Sequence, residues 1–298
     1  MTIDEIISRF AVFASVVGEK WLRQNAWCRE AYISSRSIHY EQLEMDLKRI
    51  EALVGRQSLS KTYRSLLRDQ NSFWNILHEI HGISLVGKVS STLELKVPLG
   101  ESSNKDFDAR ANILGTSVNM ECTTRKDEFP FNFPPTKGPN TNVPVYSGSR
   151  AILDPHDARK LGIASESENR NRLHIATPES TVVRQILTEE LSQLPQTGIN
   201  LILFGQISGS HEDLETALFG PIVVDFVTNS KAVESTTIQL PHGAYDAGAN
   251  GDPFRPLSGV LWFKLFSITG PKYKLYPNPN ATSPLPHEVI ASLESVVG

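Results

Sequence analysis

The chain has 298 residues, is 40% hydrophobic and 21% charged, and carries a net charge of -4. That is ordinary globular composition for one large domain, or for a core domain with a smaller companion. The two cysteines, Cys28 and Cys122, exclude a disulfide framework and predict a reducing, cytoplasmic setting; the acidic balance excludes a global attraction to nucleic acid, so any such binding must use a local basic patch.

The start, MTIDEIISRF, lacks the basic-then-apolar pattern of a signal peptide, and no run of 18 apolar residues exists, so no membrane partner is expected. Residues 1–70 read as helical. Ile3, Ile6, Ile7, Phe10, Phe13, Val17 and Trp21 recur at helical spacing, and so do Leu43, Leu47, Ile50 and Leu53 before Gly55. No chemistry is evident there; packing on the core, or pairing two subunits as a homodimer, is the expected role. NSFWNILHEIHGISLVG predicts a further helix, with Ser72 as its cap and Glu79 beside its apolar stripe. Strand-like KVSSTLELKV, FDARANI and TSVNMECTT follow. A Pro-, Gly-, Asn- and Ser-rich stretch at about 128–175 reads as a long loop insertion, with a short helical candidate near Pro155–Leu161. Thr177 and Pro178 open a helix whose buried side is Val183, Ile186, Leu187, Leu191 and Leu194; GINLILFGQ is a doubly covered strand, HEDLETALFG a short helix, PIVVDFV a possible strand and LSGVLWFKLFS a last strand before a closing helix. This order implies an α/β fold, a mixed central sheet flanked by helices, with an N-terminal helical region.

In FDARANILGTSVNMECTTRKD, Leu114-Gly115 makes a two-residue hairpin loop. Asp108 and Glu121 then stand opposite each other on adjacent strands. Val118, Met120 and Cys122 point to one face, and Asn119, Glu121 and Thr123 to the other. Two carboxylates that close require a proton on one, or a cation between them. A hard divalent cation suits oxygen ligands, and Mg²⁺ often uses one or two carboxylates plus substrate phosphate.

An acidic helix residue, strands carrying Asp and Glu-x-Thr, then helix, strand and helix resemble the PD-(D/E)xK nuclease superfamily over roughly Asn71 to the C-terminus. The resemblance implies a restriction-endonuclease-like domain at 71–298 and metal-dependent hydrolysis of phosphodiester bonds, in DNA rather than RNA. Glu79, Asp108 and Glu121 match the family's metal-holding acids, with Mg²⁺, or alternatively Mn²⁺, as the cofactor. Thr123 would line the site.

The family normally has lysine two residues after the second acid; here that position is Thr123. Lys96, Arg125, Lys126, Arg184 or Gln185 could supply the missing group from elsewhere. Otherwise the fold is retained as an inactive scaffold that binds nucleic acid or protein. The discriminating observation is a Lys or Arg nitrogen within reach of Asp108 and Glu121. Arg150, Arg159, Lys160, Arg170 and Arg172 are candidates for the local phosphate-binding surface. Cys122 reads as a core thiol, His78 and His81 as packing or helix-surface residues, and HGAYDAGANGDPFRP as a flexible surface loop lacking a phosphate-loop pattern.

Overall fold

The computed structural model describes residues 2–25, 38–69, 71–100, 105–125, 146–147, 150–153, 173–176, 178–206, 211–220, 222–229, 232–239, 243–246, 253–265 and 272–297. The first helical stretch is divided into α1 (Ile3–Arg9), α2 (Ala11–Val17) and α3 (Glu19–Gln24). The breaks fall at Phe10, whose backbone leaves the helical region, and at Gly18, with φ of 86°. Thr2 and Glu5 form a reciprocal capping box at α1. Next come α4 (Ile38–Val54), ended by Gly55 at φ 78°, and α5 (Arg56–Arg68). The site-bearing helix is α6 (Phe73–Gly87); Ser72 precedes it but makes no side-chain cap, its hydroxyl donating to Asp69 instead.

The main sheet has six strands. β1 (Thr92–Pro98), β2 (Asp106–Ile113) and β3 (Thr116–Arg125) form an antiparallel meander. After α7 (Pro178–Leu191), β7 (Ile199–Gln206) returns parallel to β3. After α8 (His211–Phe219), β10 (Gly259–Lys264) lies parallel to β7. β11 (Lys272–Pro277) adds an antiparallel edge that the sequence reading lacked, and α9 (His287–Val297) closes the chain. The expected α/β architecture with a mixed, helix-flanked sheet is therefore present.

Two cores cover the sheet. On one face the N-terminal helices, α6 and α9 pack against Ala109, Ala111, Val118, Met120, Leu203 and Phe263. On the other, Val183, Leu187 and Leu191 of α7 and Leu214 of α8 pack against Phe107, Ile202, Phe204 and Trp262. Contact between α6 and the sheet is unusually close. A Cβ on Gly82 or on Gly205 of β7 would come within 3.0 Å of the Phe263 ring.

A second sheet has five strands, each antiparallel to the one before it in the chain. β4 (Tyr146–Ser147), β5 (Arg150–Leu153) and β6 (Leu173–Ala176) come from the stretch read as loop, and β8 (Ile222–Asn229) and β9 (Ala232–Gln239) complete it. The Pro155–Leu161 helix candidate, Thr177, and Arg159, Lys160, Arg170 and Arg172 lie outside the described residues. Of the HGAYDAGANGDPFRP segment, Ala244 and Tyr245 are buried, and the Tyr245 hydroxyl donates to the Tyr276 carbonyl at 2.8 Å. That part is packed core, not free loop.

Candidate functional site

The β2–β3 hairpin turns at Leu114 and Gly115, with φ of 51° and 84°. Positive φ at both loop residues matches the twist of the flanking strands. The register runs from Ile113↔Thr116 to Ala109↔Met120 and stops there. Asp108 and Glu121 are therefore next in line but are not a ladder pair, a difference from the sequence reading. Their side chains replace the missing backbone bonds. Glu121 Oε2 accepts the Asp108 N–H at 3.1 Å, and Asp108 Oδ2 accepts the Cys122 N–H at 2.8 Å.

The reason lies one strand further out. Lys96 has φ of 49°, in the left-handed region that costs a non-glycine residue energy. The β1–β2 register skips the position where Lys96 and Asp108 would pair, between Leu95↔Ala109 and Val97↔Phe107. Both strands change face at that point. Leu93, Leu95 and Ala109 belong to the α6 side, whereas Val97 and Phe107 belong to the α7 side. Lys96 and Asp108 thus occupy the crossover, reachable from both layers.

Lys96 Nζ donates to Asp108 Oδ1 and lies 3.2 Å from Glu79 Oε1. The latter contact is an ion pair by distance but is poorly aligned, so among the described residues Glu79 Oε1 is buried without a well-aligned hydrogen-bond donor. α6 supplies Glu79 because that residue sits just off the buried Ile76, Leu77, Ile80 and Ile83 stripe. From the opposite layer, Glu190 of α7 lies close to Thr123. Gln193 Nε2 donates to Glu190 Oε2 at 2.8 Å. Tyr63 of α5 is fully buried, and its hydroxyl faces Glu79 without an aligned bond.

Glu79 and Asp108 thus share one ammonium, with the Glu121 carboxyl close by. Burial and then the Asp108 charge push Glu79 up to about 7, against the opposing pull of Lys96. Burial and the same charge push Glu121 up to about 9. Burial raises Glu190, opposed by the neighbouring Thr123 hydroxyl. Lys96 is raised although burial disfavours its charge, because Glu79 and Asp108 together outweigh that cost. The cluster holds protons where it lacks cations.

The structure brings Glu79, Asp108, Glu121 and Thr123 to one place, with Lys96 among them. The other substitutes for the missing lysine are used elsewhere or undescribed. Arg184 lies over the Phe254 ring, Gln185 bonds Glu189, and Lys126 is outside the described residues. Glu190 and Tyr63 escaped the sequence reading. Glu190 stands one turn beyond Ile186 and Leu187 on the apolar side of α7, the same signal that marked Glu79.

All these donors are carboxylate oxygens, the chemistry of a hard divalent cation. Among the described residues no three His, Cys, Asp or Glu side chains are arranged to hold a metal ion as they stand. The Lys96 ammonium fills the space between Glu79 and Asp108. The donor chemistry fits such an ion, and an ion between those two acids would have to displace the ammonium. His78 and His81 are buried packing residues: His78 stacks on Phe263, and His81 pairs with Asp46. No helix among the described residues is long and apolar enough to cross a membrane. No protein-family profile, no curated protein and no solved structure matches the chain.

Proposed function

We propose that the protein is a metal-dependent, nuclease-like hydrolase of phosphodiester bonds, acting on DNA in preference to RNA, on a restriction-endonuclease-like core. The observation that supports this most is Lys96: a cation from a different strand hydrogen-bonded to Asp108, where the motif itself offers only Thr123. The order helix, three-strand meander, helix and parallel strand around that pair supports it further.

In this reading Asp108, Glu121 and Glu79 would hold Mg²⁺ or Mn²⁺. When bound, such an ion polarises the phosphodiester and makes water ionisable near neutral pH. Glu121, protonated at neutrality, and Glu79, protonated in part, would release their protons to become ligands. Lys96, displaced from between Glu79 and Asp108, would offset negative charge that develops on the phosphoryl oxygens. Thr123 would line the site. Incubation of supercoiled plasmid and single-stranded DNA with Mg²⁺, Mn²⁺ or EDTA tests the proposal. Cleavage with either metal, lost in EDTA, in Asp108→Asn and in Lys96→Ala, is the expected result. An inactive wild type on both substrates would reject it. A retained but inactive nuclease-fold scaffold, binding nucleic acid or protein, would then be preferred; the ammonium between Glu79 and Asp108 is the feature that favours that alternative.

A further inference from the structure

α5 presents two different faces. Leu59, Tyr63 and Leu67 are buried, Tyr63 against the carboxylate cluster. The adjoining face carries Arg56, Ser60, Arg64 and Arg68 at four-residue spacing, flanked by Lys61 and Ser65. With Ser15 of α2 these side chains line a groove of about 740 Å³. The row from Arg56 to Arg68 is about 18 Å long at 1.5 Å per residue.

Two of the four cations are held in place from behind. Arg64 Nε donates to the Val16 carbonyl at 2.9 Å, and Arg68 Nε to the Val17 carbonyl at 2.8 Å. They satisfy the carbonyls at the C-terminal end of α2. The helix end thus positions the two guanidinium groups at the groove. Arg56 is bridged to Glu51, and Lys61 is exposed. No acidic side chain lines the groove among the described residues. In a chain of net charge -4 this is a concentrated local exception.

We propose that this groove binds the phosphodiester backbone of DNA without reading its sequence. Guanidinium forks and hydroxyls are donors for phosphate oxygens and carry no base information. A row of that length suits an extended polyanion better than a single small anion. A lipid surface is a poorer match: the exposed large hydrophobics among the described residues are Met45, Leu114 and Phe219, and none lines the groove. From the proposed function this inference takes only the nature of the polymer. It supplies the basic patch that the net charge requires, on the helix that also places Tyr63 beside Glu79.

The test is fluorescence anisotropy with a labelled 20-base-pair duplex in EDTA, which separates binding from cleavage. The variants are Arg56→Glu with Lys61→Glu, and Ser60→Asp with Ser65→Asp. Both leave Arg64 and Arg68 on α2, and thermal melts verify that the fold is kept. Each should weaken binding at least tenfold. The charge reversal should also flatten the dependence of log K on log salt by about 1.8, for two lost phosphate contacts. A control, Arg255→Glu with Lys272→Glu, changes net charge equally and should lose less than threefold. No binding by the wild type, unchanged binding by the groove variants, equal loss in the control, or equal competition by polyglutamate would each overturn the proposal. Absence of metal-dependent cleavage with binding intact would count against the catalytic reading alone.

Discussion

Glu44 and Asp46 in the helical region are 4% and 2% exposed, as deeply buried as Asp108 and Glu121 at 7% and 5%. Their surroundings differ. Glu44 accepts the Val12 and Phe13 N–H groups at 3.0 and 2.9 Å, capping α2 from α4. Asp46 accepts from Gln42 at 3.1 Å and is bonded to His81 Nδ1 at 2.7 Å. His81 Nε2 in turn meets the Tyr273 hydroxyl at 3.3 Å. Each oxygen of these two acids has a partner supplied by the fold. At the sheet crossover Glu79 and Asp108 share Lys96, one Glu79 oxygen has no well-aligned donor among the described residues, and Glu79 and Glu121 hold protons unusually tightly. Completed buried acids are scaffold; under the proposed function the uncompleted ones are where a cation would bind.

The largest effect expected from this contrast is at the completed site. Asp46→Ala leaves His81 buried without its acid and should cost about 3 kcal/mol in urea unfolding at neutral pH. Stability equal to wild type would mean that the helical-region network is not scaffold, and the contrast would fail at its first term.

Lys96→Ala attacks the other side. It removes the one ammonium from Glu79 and Asp108 and should cost about 2 kcal/mol at pH 7. The loss should shrink toward pH 5, because protonation of Glu79 removes the repulsion that the lysine had offset. A pH-independent loss would point to packing of the aliphatic stem instead.

Much of this frame was legible in the residues. Period-3.6 stripes marked α6 and α7, alternation marked β3, and the Leu114-Gly115 turn set the register of the hairpin. The apolar run GINLILFGQ is the doubly covered β7. The site was legible as far as each residue's own element carried the signal: Glu79 by its place beside a stripe, Asp108 and Glu121 by register. What escaped depends on tertiary fit. Nothing local to LELKV announces a lysine with positive φ, so the shared face change of β1 and β2 was invisible. Tyr63 belongs to the preceding helix and reaches Glu79 only through packing of α5 on α6. Phe10 breaks the first helix without Gly or Pro, and β4, β5 and β6 are too short to show a period.

Glu121→Gln should act in the opposite direction to Asp46→Ala. A carboxyl raised from 4.5 to about 9 in the folded state contributes no penalty below pH 4.5. The penalty then grows as pH rises, because the unfolded chain releases the proton while the folded one retains it, and it levels off above pH 9. The amide cannot ionise but still accepts from the Asp108 N–H. At pH 8 the variant should be more stable by about 1–2 kcal/mol, less than the full shift, since Glu79 and Asp108 readjust their own protons. At pH 4 the two proteins should unfold together. A variant destabilised at both values would show that Glu121 is a satisfied structural acid like Glu44.

The smallest expected effect bears most directly on what the uncompleted site awaits. A divalent cation that binds the folded chain alone stabilises it by RT ln(1 + [L]/Kd), about 1.4 kcal/mol when the ion is tenfold above its dissociation constant. At neutral pH binding must first release protons from Glu121 and part of Glu79, so apparent affinity should rise between pH 6 and 9. Thermal melts with 10 mM Mg²⁺ or Mn²⁺ should therefore raise the melting temperature of the wild type by a few degrees, and by more at pH 8.5 than at pH 6. Asp108→Asn and Glu121→Gln should abolish the increment. Lys96→Ala should enlarge it, because the ammonium no longer competes for the space between Glu79 and Asp108. Asp46→Ala should keep the wild-type increment despite its lower starting stability. If the increment is absent, or survives in Asp108→Asn, the cation stays outside this cluster and the protons on Glu79 and Glu121 are its resting answer to the crowded charge.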